Sequence, residues 1–263
     1  MNVPEPGRRG HATASTGPPL VLLHGGGPGV DADSNWAAVR TRLAADFRCL
    51  APDLLGFGTR IAGTGGLAGP RAWAAARARQ IVDLLDRHGI ERAHLVGNSA
   101  AGGAAALALL ARAPDRIGRA VLMGGAGTGP LPAKVPFYDD PTLASMRATL
   151  GRLVADEAGH EALLGELAVI RLRQALRPGA EQAFRSMFTE VVGGPPPPDP
   201  ATIVHPVLAL HGERDRVSPV EVSRRMADAL PDARLEVVAG AGHWIHVDRP
   251  DTFHRLVGEF LSA

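Results

Sequence analysis

A serine with small neighbours, Gly97-Asn98-Ser99-Ala100-Ala101, stands between the apolar run His94-Leu95-Val96 and a helix-forming run that continues to Leu110. A strand that turns sharply through a serine into a helix leaves the hydroxyl exposed at the turn, where it can act as a nucleophile. Small flanking residues are needed because the backbone is strained there and strand and helix pass close together. Ala101 stands where the G-x-S-x-G pattern has its last glycine, and it keeps the small volume. An ordinary strand-to-helix turn can also carry Gly and Ser, so the pentapeptide needs partners.

A serine hydroxyl is a weak nucleophile at neutral pH and requires a base to take its proton. Histidine suits the task because its reference pKa lies near working pH, and a carboxylate on its far ring nitrogen holds the tautomer. The strand-like run Leu235-Glu236-Val237-Val238-Ala239 leads into a loop that presents His243, and Val207-Leu208-Ala209-Leu210-His211 leads into a loop that presents Asp215. Glu213 is the local competitor for the acid. The chain order Ser99, Asp215, His243 is one of three known orders for such a triad. Upstream, Leu20-Val21-Leu22-Leu23 runs into His24-Gly25-Gly26-Gly27-Pro28-Gly29. Backbone N–H groups of such a loop, together with that of Ala100 after the serine, can hold a developing oxyanion. A phosphate-binding loop is the alternative, but no Lys-Ser/Thr ending follows and no G-x-G-x-x-G opens directly onto a helix.

The elements that must position these groups alternate in type. Residues 20–24, 48–53, 93–97, 119–124, 206–211 and 234–240 read as strands, and 35–45, 71–88, 100–113, 220–229 and 251–261 as helices. That rhythm predicts a mostly parallel sheet with helices on both faces. It breaks at 127–200, where proline-rich turns lead into helical stretches at 142–155, 158–176 and 179–190 before Gly193-Gly194-Pro195-Pro196-Pro197-Pro198. The expected organisation is therefore a core of residues 1–126 and 201–263 with a helical cap at 127–200, over the sheet edge where open α/β folds bind ligands. The four prolines read as a stiff return linker.

The 263 residues carry a formal net charge of +1 with both signs mixed, which implies no nucleic-acid or anionic-membrane partner. The one cysteine, Cys49, cannot form an internal disulfide and reads as a buried strand residue. No basic start precedes an apolar leader and no run approaches ~18 apolar residues, so a cytoplasmic, non-membrane protein is expected. No HExxH or Cys/His cluster is present, so neither metal nor other cofactor is expected.

Residues 20–263 resemble the α/β-hydrolases, and more narrowly the meta-cleavage product hydrolases, which split a carbon–carbon bond in 2-hydroxy-6-oxo-dienoates formed by aromatic ring cleavage. The resemblance lies in His24-Gly25-Gly26-Gly27-Pro28-Gly29 with Ser34-Asn35-Trp36, in Gly97-Asn98-Ser99, and in Gly242-His243-Trp244. In the cap, Arg171-Leu172-Arg173-Gln174-Ala175-Leu176-Arg177-Pro178-Gly179, followed by Phe184-Arg185-Ser186-Met187-Phe188, is similar to the family's cap helix. The resemblance implies an α/β-hydrolase fold with a Ser99-His243-Asp215 triad. It implies dienoate contacts from Asn35, Asn98, Arg171 and Trp244, and oxyanion contacts from Gly26, Gly27 and Ala100. An arginine suits a substrate with a carboxylate and an enolic oxygen because it grips two oxygens at once. Two alternatives stay open: Arg171 pairing with Glu166 or Glu181 on the cap surface, and Trp244 as plain packing.

Three segments depart from the family: Ala100-Ala101 after the serine, the Gly/Ala-rich stretch 61–69, and an N-terminus with room for one short extra strand rather than a hairpin. Aromatic content of 4% predicts an aliphatic pocket for the non-dienoate half. A carboxylesterase or lactonase with the same triad is the second reading. The expected partner is a small-molecule substrate, with a homodimer left open.

Overall fold

Among the described residues, six strands form one sheet whose two faces are covered by helices. A computed structural model describes residues 15–62, 65–128, 136–189, 191 and 196–263. The elements run β1 (Pro19–Leu23), α1 (Ala32–Leu43), β2 (Arg48–Leu50), α2 (Pro70–Arg87), β3 (Ala93–Asn98), α3 (Ala104–Arg112) and β4 (Ile117–Met123). Then follow α4 (Leu143–Gly151), α5 (Glu161–Ala175), α6 (Ala180–Met187), β5 (Val207–Gly212), α7 (Val220–Ala229), β6 (Ala233–Val238), α8 (Ile245–Asp248) and α9 (Pro250–Ser262). Every pairing among these strands is parallel, in the order β2-β1-β3-β4-β5-β6. The chain thus moves outward from β1 to β2 and returns to place β3 on the other side of β1. Such a reversal opens a crevice beyond the C-terminal ends of the strands.

Side-chain alternation explains why β1 is apolar throughout. Leu20 and Leu22 pack with Trp36, Val39 and Leu43 of α1 and with Phe253, Val257 and Leu261 of α9. Val21 and Leu23 face the other way, toward Ile81 and Leu85 of α2 and Leu109 of α3. Both faces are buried, so no polar position survives in the strand. Each such fully buried leucine contributes about 1.5–3 kcal/mol of apolar transfer. Cys49 is buried in β2, and burial pushes its thiol up to about 12, as expected for a packing residue.

Several boundaries differ from the sequence expectation, each for a local reason. Helix α1 begins at Ala32 rather than 35, because Asp31 caps it by accepting from Ser34 N while the Ser34 hydroxyl accepts from Asp31 N. β2 stops at Leu50 rather than 53: Pro52 has no N–H to pair, and the Asp53 carboxylate turns away to accept from Ala32 N and from Thr59 N and Oγ1. The helix expected from 100 opens instead as one wide, π-type turn over Ser99–Gly103 before α3. α4 ends at Gly151 rather than 155, since the next residues leave the helix to hydrogen-bond the core.

The three helices α4, α5 and α6 lie between β4 and β5, where the insertion is expected. The extra N-terminal strand and the turns at 129–132 and 193–195 fall largely or wholly outside the described residues. Among the described residues, no helix is long and apolar enough to cross a membrane.

Candidate active site

Ser99 follows β3 and has φ of 54°, in the left-handed region that a residue with a Cβ occupies at a cost of roughly 1–2 kcal/mol. The surroundings hold it there. A Cβ added to Gly102 would lie 2.1 Å from the Leu23 carbonyl oxygen, and one on Gly103 would lie 2.3 Å from Ala126 Cα. These contacts explain the run of small residues after the serine: β1, the wide turn and the β4 exit meet with no room for a side chain.

The loops after β5 and β6 bring Asp215 and His243 to this turn. His243 Nε2 lies 2.8 Å from Ser99 Oγ, and His243 Nδ1 lies 2.7 Å from Asp215 Oδ2. The tautomer that satisfies both bonds has Nδ1–H donating to Asp215 and Nε2 accepting from the serine hydroxyl. Burial pushes the Asp215 carboxyl up. The hydrogen bond and charge of His243, with the Ser218 and Val217 amides that Oδ1 accepts at 3.0 and 2.7 Å, outweigh that and hold it below its ordinary value. Glu213, the competitor, instead accepts from Gly240 N at 2.9 Å. A serine hydroxyl, an imidazole and a buried carboxylate in this sequence can pass a proton from Oγ to Nε2 and stabilise the imidazolium that results.

The glycine loop after β1 lies against the turn. A Cβ on Gly26 would come within 3.2–3.8 Å of Ala101 and Ala100 atoms, and one on Gly25 within 3.5 Å of Ser99 Cβ. His24 sets this loop: its Nδ1–H donates to Gly25 O at 2.8 Å and its Nε2 accepts from Leu54 N at 2.9 Å. Burial drives its pKa down to about 4, so the ring is neutral. Asn35 Oδ1 accepts from Gly25 N and from Asn98 Nδ2, which leaves Asn35 Nδ2 and Asn98 Oδ1 buried without a hydrogen bond.

Arg171 of α5 is 2% exposed and its Nε and Nη2 have no hydrogen-bond partner. Burial lowers its pKa to about 10, still well above neutrality, so a full cation stands with idle donors. Its guanidinium lies 4.9 Å from the Trp244 ring centroid, and its Nη1 is the atom a Cβ on Gly27 would meet at 3.3 Å. Surface pairing is therefore corrected: Glu181 bonds Arg185, and Arg171 faces inward with Trp244 beneath it.

Ser99, His243, Asn35, Asn98, Arg171, Trp244 and Gly25–Gly27 all line one cavity of about 210 Å³. Its remaining wall is Val30, Pro136, Phe137, Thr149, Arg152, Leu153 and Val217, so the aliphatic pocket expected from composition also holds an aromatic ring and two polar side chains. Of the sequence-predicted site residues with side chains, all line this cavity except Asp215, which stands behind His243, and Ala100, which follows Ser99 in the wide turn and was expected to act through its backbone N–H.

Two imidazoles that the sequence reading did not assign support the site. His211 Nε2 lies 3.0 Å from Ser218 O and 3.4 Å from Asp215 Oδ2, with Ser223 Oγ 2.7 Å from Nδ1. His246 Nε2–H donates to the Asn35 carbonyl at 2.9 Å, and burial takes its pKa down to about 3. The only sequence signal for His211 is its place at the end of β5, four residues before Asp215.

Comparison with known proteins gives consistent results. A family model described as "Alpha/beta hydrolase family" matches residues 20–256. A 2-hydroxy-6-oxo-2,4-heptadienoate hydrolase of Pseudomonas putida is 36% identical, across 94% of this chain and 90% of the relative. A 2-hydroxymuconate semialdehyde hydrolase of a Pseudomonas species is also 36% identical, across 95% and 88%. Among solved structures, a 2-hydroxy-6-oxo-6-phenylhexa-2,4-dienoate hydrolase from a Rhodococcus species superimposes with a TM-score of 0.84 at 34% identity, covering 94% of this chain and 91% of that one.

Proposed function

This chain belongs to the α/β hydrolase family, and from that premise we propose that it hydrolyses a carbon–carbon bond in a 2-hydroxy-6-oxo-dienoate. The observation that carries the reading is the buried, unpaired fork of Arg171 on the wall of the cavity that also holds Ser99 and His243. A buried cation with idle donors is costly unless an anion completes it. A neutral ester offers none; a dienoate carboxylate and its adjacent 2-oxygen do. Trp244 supports the guanidinium from below, while Asn35 Nδ2 and Asn98 Oδ1 add one donor and one acceptor for the 2-oxygen as it changes from enol to ketone. The names of the relatives favour the same substrate class.

In this mechanism Arg171 grips the dienoate head and His243 Nε2 relays the 2-hydroxyl proton to C5, giving the keto tautomer. Ser99 Oγ then attacks the C6 ketone as its proton passes to His243, whose imidazolium is stabilised by Asp215. The oxyanion lies on the backbone N–H groups of Ala100 and of Gly26 or Gly27. Collapse breaks the C5–C6 bond, the electron pair leaves with the dienolate, and His243 returns its proton to that fragment. Water, deprotonated by His243, releases the acyl group as a carboxylic acid, so one water is consumed per bond broken. Residues 127–200 serve as the lid. The cavity is smaller than the ~300 Å³ common for small-molecule sites, which supports a short substituent on the ketone side.

Decay of the yellow dienoate chromophore, followed beside hydrolysis of p-nitrophenyl esters, tests the reading. The expected result is a kcat/KM for a methyl-ketone dienoate about 10²-fold or more above that for the acetate ester. A preference in the other direction would replace C–C hydrolysis with the esterase reading.

A further inference from the structure

Both loops that carry the triad partners of Ser99 are tied to one turn of the insertion. Arg216, next to Asp215, donates through Nη2 to the carbonyls of Gly151 and Val154, each at 2.7 Å. On the other loop, Trp244 N donates to Leu153 O at 2.7 Å. Between them stands Asp248, whose side chain is 2% exposed. Its Oδ2 accepts from Gly242 N at 2.7 Å and from Ala155 N at 2.9 Å, and its Oδ1 faces His160 Nε2 at 3.1 Å. Gly242 is pressed into this joint: a Cβ there would lie 2.7 Å from Ala155 N and from Val154 C. The amides on both sides of His243 are therefore fixed, one by Asp248 and one by the insertion.

Resting on the reading of His243 as the base, we propose that Asp248 is a positioning residue. By holding Gly242 N–H and Ala155 N–H on a single carboxylate oxygen, it sets where the His243 ring stands between Asp215 and Ser99. An imidazole that must meet Oγ on one side and a carboxylate on the other has little tolerance, and a displacement of about 1 Å costs on the order of 10²-fold in rate. The placement of the oxygen, rather than the negative charge, is what the geometry uses: both amides need an acceptor at one point.

Asp248→Asn and Asp248→Glu separate the two. Asparagine keeps an acceptor oxygen in place and can turn its NH2 toward His160, but it lacks the charge. Glutamate keeps the charge and moves it by one methylene. The readout is the rate at which a fluorophosphonate probe labels Ser99, which depends on the base but not on the natural substrate, with circular dichroism confirming the folded fraction. The expected result is D248N within about threefold of the unaltered protein and D248E at least tenfold slower at equal folded fraction. D248E fast with D248N slow would assign the role to charge and overturn the proposal. Equal rates for the two, whether both fast or both slow, would also overturn it. Absence of labelling in the unaltered protein would instead remove the triad reading on which the proposal rests.

Discussion

Replacing Arg171 with glutamine separates binding of a charged head from the general competence of the triad. The guanidinium has two buried donors, Nε and Nη2, without partners in the protein. Each hydrogen bond from a charged group contributes about 1.5–3 kcal/mol, so a bidentate grip on a carboxylate is worth roughly 3–6 kcal/mol. Glutamine restores one neutral donor, which leaves a net loss of about 3 kcal/mol, or ~10²-fold in kcat/KM for a dienoate. The same change removes a buried cation whose desolvation is only partly offset by Asp31 and the Trp244 ring, so R171Q should melt at the same temperature as the unaltered protein or higher. Dienoate decay and p-nitrophenyl acetate hydrolysis are to be measured on one preparation, and the ratio of the two losses is the result that matters. The ester should change less than threefold, because it has no carboxylate to lose. Equal losses on both substrates, or a falling melting temperature that accompanies them, would refute the reasoning.

Ser99→Ala should lower dienoate turnover by several orders of magnitude with an unchanged circular dichroism spectrum, and activity within tenfold would exclude Ser99 as nucleophile. Asp215→Asn should cost about 10³–10⁴-fold in kcat by favouring the wrong tautomer of His243, whereas Glu213→Gln, which only loosens Gly240, should stay within a few-fold. Stability should fall as pH drops below about 6.5. His24 and His246 are held neutral down to about 4 and about 3, while their unfolded forms take up protons near 6.5. The unfolded state thus binds more protons in this window, which costs about 2 kcal/mol per imidazole by pH 5. Calorimetric melting between pH 7 and 5 should show the fall, and His246→Gln should flatten it.

The triad was legible because its members occupy the positions that chain topology forces together, the exits of β3, β5 and β6. Asp215 prevailed over Glu213 for a reason visible only in three dimensions: Gly240 N draws Glu213 away, while Val217 N and Ser218 N turn Asp215 toward His243. Periodicity located the strands among the described residues but carried β2 on to Asp53 rather than ending it at Leu50, since an apolar run does not reveal that a carboxylate will leave the sheet to bond Ala32 and Thr59. The inward aim of Arg171 was not decidable from a helix that also carries Glu166 and Arg173. It depends on Trp244, which is 73 residues away in sequence. Asp248 carried no signal, because two of its partners are backbone amides and the third, His160, lies 88 residues away in sequence.

The joint at Gly151–Ala155 also bears on inheritance. Loops and lids in this architecture are attractive units for recombination, since they start and finish at strand ends. Here a swapped insertion would have to place its own main-chain carbonyls and amide where those of Gly151, Leu153, Val154 and Ala155 meet Arg216, Trp244 and Asp248. The insertion and the two core loops are thus a single heritable part split across the chain. A chimera that respects this would exchange residues 127–200 together with 213–218 and 240–248, and a new substrate pocket would then come with the histidine loop that fits it.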